Sequence, residues 1–157
     1  MIIENIMSKD IKKVMALERE IFKENAFSND LMNKFIQYSQ EGKNTLFLKL
    51  GTNTKKKEMI GFIIIIKDRI DRANIVNLLI NPKFQNKRYG SFLLKKSIEK
   101  IKLIRGIKSI VLNVQVKNTI AIRLYEKFNF KKLPKILENY YQSGENSYMM
   151  EHIIENR

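Results

Sequence analysis

Residues 76–95, VNLLINPKFQNKRYGSFLLK, constrain the fold of this chain more than any other segment. They read as an apolar strand, a turn marked by Pro82, a cationic loop ending at Gly90, and an amphipathic helix. A strand that runs through a loop into a helix start gathers unpaired N–H groups and the positive end of the helix dipole at one point. Such a point suits a phosphate, and Lys87 and Arg88 add two mobile positive charges beside it. The segment therefore reads as a grip for an anionic group, carried by a fold that mixes sheet and helix.

The rest of the chain supplies such a fold. Ile2, Ile3 and Ile6 suggest a first strand, and residues 8–22 a helix with Ser8 as N-cap and Asp10 in its first turn. Residues 25–29 break that helix, and Ser28 caps a second whose apolar stripe is Leu31, Met32, Phe35 and Ile36. Strands are expected at 45–50, 59–67 and 73–80, joined by the polar loop 51–57 and a charged turn at 68–72. The unbroken run Phe62 to Ile66 predicts burial on both faces, as at the centre of a sheet. A helix from Gly90 to about Leu103, a strand at 109–116, a helix Thr119–Lys127 capped by Asn118, and strands at Lys131–Leu137 and 148–154 complete the order. The last few residues are expected to fray. No linker, repeat or low-complexity tract divides the chain, so residues 1–157 are expected to form a single α/β (α+β) domain around a mixed sheet.

Composition removes several classes of chemistry. The chain has no Cys, which excludes disulfides, thiolate metal sites and a cysteinyl acyl intermediate. His152, the only histidine, has no ligand-type neighbours at metal spacing, so no metal is expected. The longest aliphatic run falls far short of the ~20 residues of a membrane span, and the N-terminus carries no apolar leader, so a cytoplasmic protein is expected. The formal charge of +14 attracts polyanions in general. Its lysines look scattered along the chain, however, with 55–57 the only run of three and no aromatic residues interleaved. An excess of Lys, Ile and Asn written in AT-rich codons would give the same charge, so no specific nucleic-acid partner is expected.

Two stretches, NPKFQNKRYGSFLL and NVQVKNTIAIRLYEKFNF, resemble the pyrophosphate loop and the following Asn- and Tyr-bearing segment of the GNAT superfamily of acetyl-CoA-dependent N-acetyltransferases. The resemblance reaches nearly the whole chain. It is strongest toward the RimI-like members, through Glu18, Phe27 and Ser28, the strand before Pro82, and the late Glu138-Asn139-Tyr140-Tyr141. It implies a splayed sheet in which the backbone of Leu78, Leu79 and Ile80 meets pantetheine amides. The loop Gln85, Asn86, Lys87, Arg88, Tyr89, Gly90 and Ser91 would cradle the pyrophosphate. Asn118 would contact the cofactor as well as cap its helix, Tyr125 would protonate the departing thiolate, and Tyr140 and Tyr141 would border the acceptor groove. It also implies a backbone N–H that steadies the oxyanion, and a protein N-terminus as acceptor, that of a small-subunit ribosomal protein, with possible work near the ribosome.

The chain departs from the family pattern twice. Arg88 stands where the family prefers Gly, and Asn113 stands where RimI-like enzymes place their general-base Glu. An amide cannot act as a base; Glu18, Glu24 and Glu138 are the candidate replacements, and none is assigned. Two other readings stay open: a family member acting on lysine side chains or small amines, and a degenerate, non-catalytic module that binds coenzyme A or RNA.

Overall fold

The computed structural model describes residues 1–154. Seven strands form one sheet: β1 (Ile2–Asn5), β2 (Thr45–Gly51), β3 (Met59–Arg69), β4 (Arg72–Ile80), β5 (Ser109–Gln115), β6 (Lys131–Leu137) and β7 (Ser147–Ile153). Their spatial order is β1-β2-β3-β4-β5-β7-β6, antiparallel throughout except for the parallel β4–β5 pair. Helices α1 (Ile11–Phe22) and α2 (Asn29–Gln40) cover one face, and α3 (Tyr89–Lys102) and α4 (Thr119–Lys127) the other. The mixed α/β domain expected from the sequence is observed, and the residues beyond 154, where fraying was expected, lie outside the described ones.

Each face has its own core. Val14, Met15, Met32, Phe35 and Ile36 pack with Phe47, Phe62 and Ile64 on the α1/α2 side. Leu93, Leu94, Ile98, Ile101 and Ile122 pack with Ile63, Ile65, Ile110 and Leu112 on the other. The run Phe62 to Ile65 therefore feeds both cores alternately and is almost wholly buried, as a central strand requires. His152 is a packed residue of the second side: its Nδ1 lies 2.8 Å from the Phe128 carbonyl and its ring rests on Phe130.

Local expectations hold with two adjustments. Ser28 caps α2 by accepting the Leu31 N–H, and Asn118 caps α4 by accepting the Ala121 N–H. Ser8 does not cap the first helix. Residues 8–10 wind as a 3-10 turn, Met7 takes the cap position, and its N–H is accepted by the Asp10 carboxylate at 2.8 Å. Asp10 is buried and also holds Lys49 of β2 at 3.0 Å, so the ion pair fixes where the chain enters the helix. The charged turn expected at 68–72 is tighter than that: β3 continues to Arg69 and β4 starts at Arg72, because a bidentate Arg72–Asp68 pair ties the two strands together.

Candidate active site

The site begins with one extra residue in β4. Asn77 pairs with Ile64 of β3, but Ile75 pairs with Ile65, so Val76 is a bulge. A bulge bends its strand and shifts the alternation of side chains by one. Ala73 and Ile75 face the α3/α4 core, whereas Asn77 is turned to the α1 side. The parallel pairing of β4 with β5 also stops here, with Ile75↔Leu112 its last pair. Beyond it the two strands part, leaving backbone groups of β4 on that edge without a strand partner.

A cleft of about 410 Å³ fills the gap. Its walls include Ile75, Val76, Asn77 and Leu78 from β4, Asn113, Val114 and Gln115 from β5, and Asn118, Ala121 and Tyr125 from the start and body of α4. The α1–α2 connection supplies Lys23, Glu24, Asn25 and Phe27, and the β6–β7 loop supplies Tyr141 and Glu145. These two loops, 118 residues apart in sequence, are clasped by a pair of hydrogen bonds. Asn25 Nδ2 donates to Ser143 Oγ, and the Ser143 N–H donates to Asn25 Oδ1, each at 3.0 Å.

Tyr125 is buried against the edge of Phe130 and presents its phenol to the cleft without a side-chain hydrogen bond among the described residues. Burial, helped by the nearby Tyr141, holds its pKa far above the usual tyrosine range, so it remains a protonated donor. Tyr141 is pushed up to about 12, mainly by burial, and stacks edge-on with Tyr140 at 4.9 Å. Asn113 uses both ends of its amide: Nδ2 donates to Tyr140 Oη at 3.1 Å, and Oδ1 accepts from Ser147 Oγ at 3.3 Å. Asn113 therefore ties β5 to Tyr140, the exposed neighbour of the cleft-lining Tyr141.

Of the candidate carboxylates, Glu18 and Glu24 line the cleft and Glu138 does not. Glu18 is only 1 % exposed. Its Oε1 accepts from Asn77 Nδ2 at 2.6 Å and its Oε2 from the Phe27 N–H at 3.0 Å, joining α1, the bulged strand and the α1–α2 connection. Burial pushes its carboxyl above the ordinary value, against the opposing pull of those two donors. Sequence reasoning named Glu18 but missed Asn77, Glu145 and the Asn25–Ser143 clasp. The stretch 139–146 reads as a polar, Tyr-bearing loop in the sequence, but nothing there links it to Asn25.

The loop expected to grip an anion lies at the far end of β4. The Ile80 carbonyl accepts from Gln85 Nε2, so Gln85 folds the loop back onto the strand. Asn86 and Arg88 adopt φ of 62° and 65°, the left-handed region that costs a non-glycine residue roughly 1 kcal/mol or more. Arg88 thus takes the conformation for which the family's Gly is suited, and it does so as the N-cap of α3. The first helical bond across this cap runs from the Phe92 N–H to the Arg88 carbonyl. The N–H groups of Tyr89, Gly90 and Ser91 consequently have no acceptor among the described residues, and Lys87 and Arg88 are exposed beside them. A Cβ on Gly90 would make only ordinary contacts with Ile80 and Leu124, at 3.6 and 3.7 Å, so the protein's own packing does not require that Gly. Leu78 lines the cleft itself, while the Leu79 side chain is buried in the α1/α2 core and leaves only its backbone to the site. Among the described residues no cluster of His, Asp or Glu is arranged to hold a metal ion.

Comparison with known proteins agrees with this arrangement. The chain is 30% identical to the ribosomal protein bS18-alanine N-acetyltransferase of Haemophilus ducreyi over 152 residues, 94% of this chain and 97% of that one. It is 36% identical over 81 residues to an N-alpha-acetyltransferase of Saccharolobus solfataricus, a match covering 52% of this chain and 48% of the relative. The chain spans about half the length of the archaeal relatives it matches. The crystal structure of the ribosomal-protein-S18-alanine N-acetyltransferase from Escherichia coli superposes with a TM-score of 0.83 at 25% identity, covering 99% of this chain and 95% of that one. Residues 11–130 match the Acetyltransferase (GNAT) family, and the chain belongs to that family of acyltransferases.

Proposed function

We propose that this chain transfers the acetyl group of acetyl-CoA to the N-terminal α-amine of a protein, with a small-subunit ribosomal protein as the favoured acceptor. It does so as one cytoplasmic domain and without a metal. The observation that carries the reading is the parting of β4 from β5 at Ile75, with Tyr125 buried at the wall of the resulting cleft. The free N–H groups of Tyr89, Gly90 and Ser91 fit a pyrophosphate, and the unpaired β4 edge beyond Ile75 fits the amides of a pantetheine arm.

Acetyl-CoA supplies an activated thioester carbonyl. Backbone N–H groups of β4 past the bulge face the place where negative charge develops as the amine nitrogen bonds to that carbonyl carbon. The carbon–sulfur bond breaks, and Tyr125 gives its proton to the leaving thiolate. Asn113 holds Tyr140 at the acceptor border, and Glu18 fixes Asn77 and the bulge from behind. With an amide at position 113, the amine arrives already neutral and sheds its proton to solvent after attack. An α-amine is on the order of a tenth neutral at pH 7, and a lysine well under a thousandth. The missing carboxylate therefore favours an α-amine over a lysine.

Peptides with free and with blocked N-termini, incubated with acetyl-CoA and analysed by mass spectrometry, test the proposal. Acetylation only of free N-termini is expected. Modification of lysine side chains alone would overturn it.

A further inference from the structure

The +14 charge is not spread over the molecule. Residues 83–135 hold 15 Lys and Arg against 2 Asp and Glu, whereas residues 8–41, which build α1 and α2, hold 6 of each. The fold turns this division into two unlike faces. The segment from 83 to 135 comprises α3, α4, their flanking loops and β6, so the charge gathers on the α3/α4 side and runs out to the β6 edge of the sheet. All of these basic side chains except the half-buried Lys96 are exposed. Among the described residues only Lys83 and Lys96 of this set have acidic partners, Glu58 and Glu99. Codon-driven drift would enrich lysine on both faces alike. It does not account for a neutral layer on one side of a sheet and, on the other, a cationic layer in which only Lys83 and Lys96 have acidic partners among the described residues.

We infer that the α3/α4 face is a docking surface for the phosphate backbone of a structured RNA. Lys87 and Arg88 belong to the proposed cofactor grip and Lys83 is paired with Glu58, but Lys100, Lys102 and Arg105 lie a helix length away, roughly 20 Å at the usual rise. They are too distant to serve the same pyrophosphate. Lys100 and Lys102 complement the C-terminal end of the α3 dipole, yet two charges would suffice for that. Flexible lysines with few aromatic residues among them recognise phosphates by position and charge rather than bases by stacking. An anionic membrane would call for a band of apolar and aromatic anchors; this face exposes only isolated residues such as Leu103 and Ile120. The choice of RNA among polyanions rests on the acceptor proposed above, a protein end presented on a ribonucleoprotein particle.

The experiment measures binding of a labelled RNA hairpin of about 20 base pairs by fluorescence anisotropy, with saturating coenzyme A present, from about 50 to 200 mM salt. Binding with a steep salt slope is expected. The variant K100Q/K102Q/R105Q should bind about tenfold more weakly, with a slope shallower by about one unit per removed contact, while acetylating a free N-terminal peptide at the native rate. K131Q/K135Q, on the β6 edge, gives a second reading should the first variant fold poorly. No hairpin binding at low salt, displacement of the hairpin by coenzyme A, an unchanged affinity in both variants, or tighter binding to phosphatidylserine vesicles would each overturn the inference. A protein that acetylates the peptide but ignores the hairpin refutes the surface alone. One that binds the hairpin but modifies no peptide refutes the acetylation reading and leaves the surface standing.

Discussion

Tyr125 combines two properties that seldom coincide: it is buried, yet its hydroxyl makes no hydrogen bond among the described residues. Its removal should therefore cost little stability and much rate. Tyr125→Phe is expected to lower turnover on the order of a hundredfold with nearly unchanged acetyl-CoA affinity, read by steady-state kinetics beside calorimetry; an unchanged rate would remove it as the proton donor. Asn113→Glu is the converse case. Tyr140 and Ser147 both carry hydroxyls able to donate to a carboxylate placed there. The variant should keep its fold and raise the acetylation rate of an α-amine most strongly below about pH 7, as a pH–rate profile would record. Glu18 acts on stability. Its folded pKa lies above the ordinary 4.5, so between the two values the native state binds more protons than the unfolded chain. Its contribution is complete below about pH 4.5 and is lost as pH rises through the raised value. In urea titrations, native stability relative to Glu18→Gln should fall as pH climbs from below 4.5 to neutral. A constant difference would show that Glu18 titrates normally.

At the scale of elements, most of the fold was legible because hydrophobic spacing and caps agreed. Thr119–Lys127 was expected and found with those bounds, since Asn118 supplies a side-chain acceptor and Ile122 and Tyr125 lie on the buried stripe. Ser8 misled because a carboxylate two residues on, paired with Lys49 across the fold, outcompeted a hydroxyl. The bulge at Val76 left no mark in the sequence: VNLLI reads as an unbroken strand, and only its register with Ile64 and Ile65 exposes the extra residue. Gly61 is the complement of that irregularity. A Cβ there would run into the Leu79 carbonyl oxygen and the Ile80 side chain, so β3 can approach the end of β4 only without one. Gly61→Ala should cost about 1–3 kcal/mol in chemical denaturation and weaken acetyl-CoA binding, because β4 must shift to make room. An unaffected midpoint would mean that the two strands separate freely.

At the scale of the molecule, the cleft belongs to no single element: α1, β4, β5, α4 and two loops each contribute a wall. A ligand that occupies it only in the folded state must stabilise all of them together. Acetyl-CoA at a hundred times its dissociation constant should add about 2.7 kcal/mol, or on the order of 8 °C in Tm for a domain of this length, by scanning fluorimetry. No shift would speak against cofactor binding. The strand-end parts of this site could be anticipated from residues 76–95, and Tyr141 and Glu18 were named from the sequence, but the contact that joins the two loops could not be. Asn25 and Ser143 meet only because the fold brings two loops 118 residues apart together, and the unequal charge of residues 8–41 and 83–135 becomes two unlike faces only when α3 and α4 share one. The Asn25–Ser143 clasp also bears on entry to the cleft. If two hydrogen bonds at about 1 kcal/mol each were all that held the loops together, the loops would stand apart in roughly 3% of molecules. An acceptor entering between them would then associate about thirtyfold more slowly than with a gate held open, and its apparent affinity would fall by the same fraction. On the proposed reading, whatever loosens those two bonds would change how readily an acceptor is admitted, without touching Tyr125.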